Sequence, residues 1–163
     1  MIGVILALVV AGCGGSKSPT TPSTGGDASV PDLIFCVDET NRYRTLAGVL
    51  LLTRSTQIEA FATAAAFLDS QTKTPHGYYL LHDPGPGAEN EVIDWSIDFF
   101  GSVRTLMEQA IASYWKEGPN GPHYRNLTGP YASMGCGVKI TGGLVTFVQD
   151  FRPVPGTLTP AQE

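Results

Sequence analysis

Near its C-terminus the chain changes period. Cys136-Gly137-Val138-Lys139-Ile140-Thr141 and Leu144-Val145-Thr146-Phe147-Val148-Gln149-Asp150-Phe151 are two runs rich in β-branched and aromatic residues, separated only by Gly142-Gly143. A two-residue glycine link is the chemistry of a tight hairpin turn, because such turns need positive φ and glycine adopts it without steric cost. Whatever the fold, it must therefore contain an antiparallel hairpin in its last third.

The chain before the hairpin reads as helical. Acidic residues at Asp38-Glu39 precede apolar positions at Tyr43, Leu46 and Val49 or Leu50, which predicts a helix over about 37–47. Ser55 can cap a longer helix to Thr72, whose Ile58, Phe61, Ala62, Ala65, Ala66 and Leu68 recur at helical spacing. A third runs from Gly101 to Trp115 and stops at Gly118-Pro119. Between the second and third helices, Pro75, Gly77, Pro84, Gly85, Pro86 and Gly87 break the pattern, leaving at most a short ordered piece at 78–81 and His82 on a loop. His123 is expected on the loop after the third helix. Helices first and a hairpin last define an α+β chain of one domain, and 42% hydrophobic residues suffice for its core.

Two segments carry residues able to do chemistry: His82-Asp83-Pro84-Gly85-Pro86-Gly87-Ala88-Glu89-Asn90 and His123-Tyr124-Arg125-Asn126. Two imidazoles and a carboxylate brought together by the fold would suit a borderline divalent cation or acid/base work. Taken singly, each histidine reads as an exposed or hydrogen-bonding loop residue, Glu89 as a loop acid, and Glu91 beside it as a solvated one. Other catalytic patterns are absent: no G-x-S-x-G, H-E-x-x-H or C-x-x-C occurs, and Gly85-Pro86-Gly87 lacks the lysine of a phosphate loop.

In their order along the chain these segments resemble the CAP superfamily, whose members include cysteine-rich secretory proteins, antigen 5 proteins, plant pathogenesis-related proteins and bacterial SCP-domain relatives. Asn41-Arg42-Tyr43-Arg44 before Ala47-Gly48 is similar to the family's N-x-x-R-x-x-x-G. The stretch from His82 to Asn90 resembles its H…GEN block, with Ala88 in place of glycine. His123-Tyr124-Arg125-Asn126 resembles HYxN, while Gly135-Cys136-Gly137-Val138 and Gln149-Asp150-Phe151 resemble the closing strands. The resemblance spans about residues 33–152 and implies an α-β-α sandwich with an antiparallel sheet.

It also implies a central cleft containing His82, Glu89 and His123. His76 competes with His82 for the first histidine, because many bacterial members place that residue farther upstream. For the family's second glutamate, Glu117 follows Trp115 and is preferred over Glu108. A divalent metal, zinc foremost, is the cofactor such a set would take, and a lipid or other small molecule the ligand. The resemblance implies a non-enzymatic binding protein. A metal-dependent hydrolase of the cell envelope and a structural envelope protein with a vestigial cleft are the alternatives, and no protein partner is identified.

The N-terminus implies export. Ile2 to Gly12 is an uncharged apolar run too short to span a bilayer, and it ends in small residues before Cys13, as a lipoprotein signal peptide does. Residues 1–12 are then a signal peptide, and 13–32 a Gly/Ser/Thr/Pro tether to the domain at 33–152, with 153–163 a tail. Acyl groups on Cys13 would anchor the protein to a membrane at the cell envelope or its extracellular face. Removing Cys13 from the count leaves Cys36 and Cys136, a pair expected to form a disulfide in an oxidising compartment, with two separate buried thiols as the alternative. Net charge is −5 and the ten basic residues are scattered, which argues against nucleic acid as a partner.

Overall fold

A computed structural model describes residues 27–82 and 85–153 of the chain. The apolar run before Cys13, Cys13 itself, most of the tether and the tail after Pro153 lie outside the described residues. In chain order the elements are α1 (Val30–Ala47), β1 (Thr53–Arg54), α2 (Thr56–Thr72), α3 (Gly77–His82), β2 (Ala88–Ser96), α4 (Ile97–Phe100), α5 (Val103–Lys116), α6 (Pro122–Thr128), β3 (Tyr131–Thr141) and β4 (Leu144–Pro153). No helix among the described residues is long and apolar enough to cross a membrane.

The predicted hairpin is β3–β4, in register from Ser133↔Arg152 to Thr141↔Leu144 around Gly142-Gly143, both at positive φ. β2 adds antiparallel to β4, and β1 adds two residues parallel to β3, giving the order β1-β3-β4-β2. Thus β4 is central and buried on both faces, and β2 is an edge strand. Side chains alternate across β4. Val145, Phe147 and Phe151 join α1, α5 and α6 in the larger core with Leu33, Leu106, Met107, Ile111 and Leu127. Val148 points the other way, onto Ala62, Ala65 and Ala66 of α2. The result is the three-layer α+β sandwich.

On the α2 side the layers touch through backbone. A methyl group added at Gly135 would lie 2.5 Å from the carbonyl carbon of Ile58, and one added at Gly137 would strike the backbone of Ala62 and Thr63. These glycines are needed for close approach, not for positive φ.

On the other side, Cys36 of α1 and Cys136 of β3 form a disulfide closing a separation of 100 residues. The Asn41-x-x-Arg44 pair pins the ends of loops. Asn41 exchanges two hydrogen bonds with the backbone of Leu52, and buried Arg44 donates to the carbonyls of Leu50, Leu127 and Gly129.

Three elements depart from the sequence expectations. First, the ordered body begins before residue 33. Asp27 pairs with β3 through Val138 O, Ile140 N and Lys139, and α1 starts at Val30 with Ser29 as N-cap and proline in the first turn. Second, the segment around Glu89 is strand β2, concealed because its buried positions are filled by Glu89, Asn90 and Glu91 rather than apolar residues. Third, both expected loop histidines are on helices: His82 ends α3 and His123 lies in the first turn of α6.

Candidate functional site

His76 is placed by a sharp connection between α2 and α3. Lys73 closes α2 in the left-handed conformation, its N–H donating to Asp69 O at 2.9 Å, and His76 adopts a second left-handed conformation at φ 58. Such φ values are unfavourable for a residue with a Cβ, so the surroundings must hold the backbone there. They do. The Asp69 carboxylate accepts from Tyr78 N at 2.9 Å, fixing the start of α3. The His76 N–H donates to Glu91 Oε2 at 2.6 Å, and its Nδ1 lies 2.8 Å from Glu89 Oε1 and 3.9 Å from Glu91 Oε2.

Glu89 and Glu91 share a face of β2 because strand side chains repeat every second residue. Asn90 lies on the opposite face, where it works as a connector. Its Nδ2 donates to His123 O at 3.2 Å, and its Oδ1 accepts from Asn126 Nδ2, which also donates to Glu89 O. Two asparagines thereby lock α6 against the sheet edge and position His123.

The His123 side chain is held from two directions. Glu117, just past the end of α5, accepts from His123 N at 3.0 Å, and its Oε1 lies 2.5 Å from His123 Nδ1. The imidazole stacks on Tyr114 with ring centroids 4.7 Å apart. Across the sheet edge, α3, β2 and α6 enclose a cleft of about 540 Å³ whose walls include His76, Tyr79, Leu80, Glu89, His123 and Arg125.

Glu89 on the cleft wall and Glu91 beside it are electrostatically unusual. Glu89 and Glu91 have side chains only 1% exposed. Burial raises the Glu89 pKa to about 8, the nearby Asp69 carboxylate adding to the effect and Arg152 opposing it. Burial likewise raises Glu91 to about 8, partly offset by the hydrogen bond from His76 N. Asp69 of α2 and Asp150, the cross-strand partner of Glu89 on β4, are also shifted upward, in each case chiefly by burial. Glu89 Oε2 and Glu91 Oε1 are buried without a hydrogen-bond partner among the described residues. Taking carboxylates out of water without partners is costly, so this cluster calls for protons or a cation.

Of the residues singled out in the sequence, Glu89 and His123 line the cleft and Glu117 is paired with His123, whereas His82 does not line it. That side chain is exposed at the end of α3, where its Nδ1 lies 2.9 Å from Tyr78 O and its ring stacks on Tyr78 at 3.9 Å. His76 faces Glu89 instead, because a six-residue helix separates the two histidines and carries His82 away from β2. Glu108 lies exposed on α5, whereas Glu117 reaches His123. Glu91, expected to be a solvated loop acid, is buried next to His76. Among the described residues, ligating atoms of His76, Glu89 and Glu91 all lie within 4.8 Å of one another. The residues present fit a divalent cation: an imidazole and two carboxylates, with orphaned carboxylate oxygens.

Residues 37–151 match the sequence model of the CAP, or cysteine-rich secretory protein, family, and the chain belongs to that family. Solved bacterial structures share the fold. An outer surface protein of Borrelia burgdorferi aligns with a TM-score of 0.56 and 15% identity over 77% of this chain and 95% of that one. An SCP-domain-containing extracellular protein of Bacillus anthracis aligns with a TM-score of 0.52 and 15% identity over 76% of this chain, which spans 41% of the longer one. No curated protein matches the chain in sequence.

Proposed function

We propose that the protein is an exported, envelope-associated CAP-domain protein that binds a small ligand in the α3–β2–α6 cleft by way of a divalent cation, without catalysing a reaction. The observation that carries this reading is the convergence of His76, Glu89 and His123 on one cleft, with the buried Glu91 carboxylate beside His76 and Glu89. Imidazole and carboxylate are the ligand types of zinc-class cations. Tyr79 and Leu80 supply an apolar wall, which supports a ligand with an apolar part, a lipid among them. Export is supported by the Cys36–Cys136 disulfide, which belongs to an oxidising compartment, and by the surface and extracellular settings of the two structural relatives. Anchoring through acylated Cys13 completes the reading.

The test is metal content. The full chain, purified from the envelope fraction without chelator, is expected to carry close to one zinc-class ion per chain, and His76→Ala to lose it while keeping its circular dichroism spectrum. A wild-type protein that holds no metal and takes up none at micromolar zinc would sink the reading.

A further inference from the structure

Resting on that reading, we infer that Glu91 is a direct ligand of the cation, so that the ion is held by His76, Glu89 and Glu91 while His123 belongs to a separate pair with Glu117. The geometry separates the two groups. His76 Nδ1 lies 2.8 Å from one carboxylate and 3.9 Å from the other. Ligand atoms about 2.0–2.2 Å from a tetrahedral zinc lie roughly 3.3–3.6 Å apart, so small side-chain adjustments would bring all three onto one ion. The His123 Nδ1 is instead engaged with Glu117, and its ring is fixed flat on Tyr114.

Charge and burial point the same way. Glu89 and Glu91 each bury a carboxylate oxygen without a hydrogen-bond partner among the described residues, and both face the histidine. A cation held by both carboxylates would partner both orphaned oxygens, whereas a set of two histidines and Glu89 would leave the Glu91 oxygen without a partner. Leaving a buried polar atom unpartnered is the costlier arrangement. One nitrogen and two oxygens, with room for water, select the zinc-like class over calcium, which takes six or more oxygens. His123, held by Glu117 and Tyr114, then lines the cleft beside the molecule that occupies it.

Titration of the full-length protein with zinc, and separately with calcium, tests the assignment by isothermal calorimetry. Glu91→Gln preserves shape and can still accept from His76 N, so it should fold normally. It should weaken zinc binding by at least about 100-fold, the upper range for loss of even an indirect partner. His123→Ala should leave zinc affinity within about threefold of wild type, small beside that loss. If Glu91→Gln binds zinc like wild type while His76→Ala does not, the ligand assignment is overturned and the cleft reading stands. Loss in His123→Ala as large as in Glu91→Gln, or calcium binding in preference to zinc, also overturns the assignment. Failure of the wild-type chain to bind either ion removes the reading beneath it.

Discussion

Replacing Gly135 by alanine probes the contact on which the cleft is built. The new methyl group would sit 2.5 Å from Ile58 C and 2.8 Å from Glu59 Cα, where ordinary contact begins near 3.4 Å. All three nearest atoms are backbone, so no rotamer change relieves the clash and α2 must retreat by the better part of an ångström. Two interactions resist. Ser55 N donates to Met134 O at 2.9 Å, tying the start of α2 to β3, and fully buried Glu59 is gripped by Arg54 through two hydrogen bonds of 2.5 and 2.9 Å. Overpacking a core costs about 1–3 kcal/mol, and with no side chain to yield the upper end applies, about 3 kcal/mol, or roughly 10 °C in Tm for a domain of this size. Urea denaturation read by circular dichroism measures it. Gly142→Ala is the control: nothing lies within 4 Å of the added methyl, and only the positive φ of 58 opposes it, so a loss of about 1 kcal/mol is expected. If Gly135→Ala is within about 0.5 kcal/mol of wild type, the layers are not in backbone contact and the account of α2 is wrong.

Two further outcomes follow from the same structure. Reducing the Cys36–Cys136 bond, which closes a separation of 100 residues, should lower stability by about 4.7 kcal/mol on the chain-entropy account; finding two reactive thiols in the folded, exported protein would contradict the pairing. Chelator-treated protein should lose stability as pH rises from about 4.5 to about 8, because Glu89 and Glu91, facing Asp69 of α2 and His76, remain protonated in the fold where the unfolded chain has ionised; Glu91→Gln should flatten that slope, and unchanged Tm across this window in wild type would refute it.

The fold was legible in the sequence where the pattern is apolar and periodic. The hairpin around Gly142-Gly143, α2 from its Ser55 cap, and α5 all follow from period and turn chemistry. α1 is longer than its apolar period shows, because Ser29, Pro31 and Asp32, which start it, adjoin a Gly/Ser/Thr/Pro-rich stretch. The site was harder to read for a related reason: it is built from polar residues in positions that patterning assigns to loops or solvent. β2 buries Glu89, Asn90 and Glu91 in succession, so a strand that must be satisfied by hydrogen bonds carries no hydrophobic signature.

The choice between His76 and His82 turned on geometry that spacing along the chain does not contain. His82 is closer to Glu89 in sequence, but α3 intervenes between His76 and His82, and the left-handed conformations at Lys73 and His76 turn the earlier imidazole onto the strand. One local signal did point to that turn. Asp69, four residues before Lys73, accepts from the start of α3, and Gly77 is the residue that lets its carboxylate come that close, since a methyl group there would lie 2.8 Å from Asp69 Oδ1. An acid late in a helix, followed by Pro75 and a histidine-glycine pair, therefore describes a helix end capping the next helix start. Read in that way, the His76-Gly77 step is where the chain commits its first cleft histidine, and Glu91, whose carboxylate accepts the His76 N–H, is part of the same local construction as Glu89.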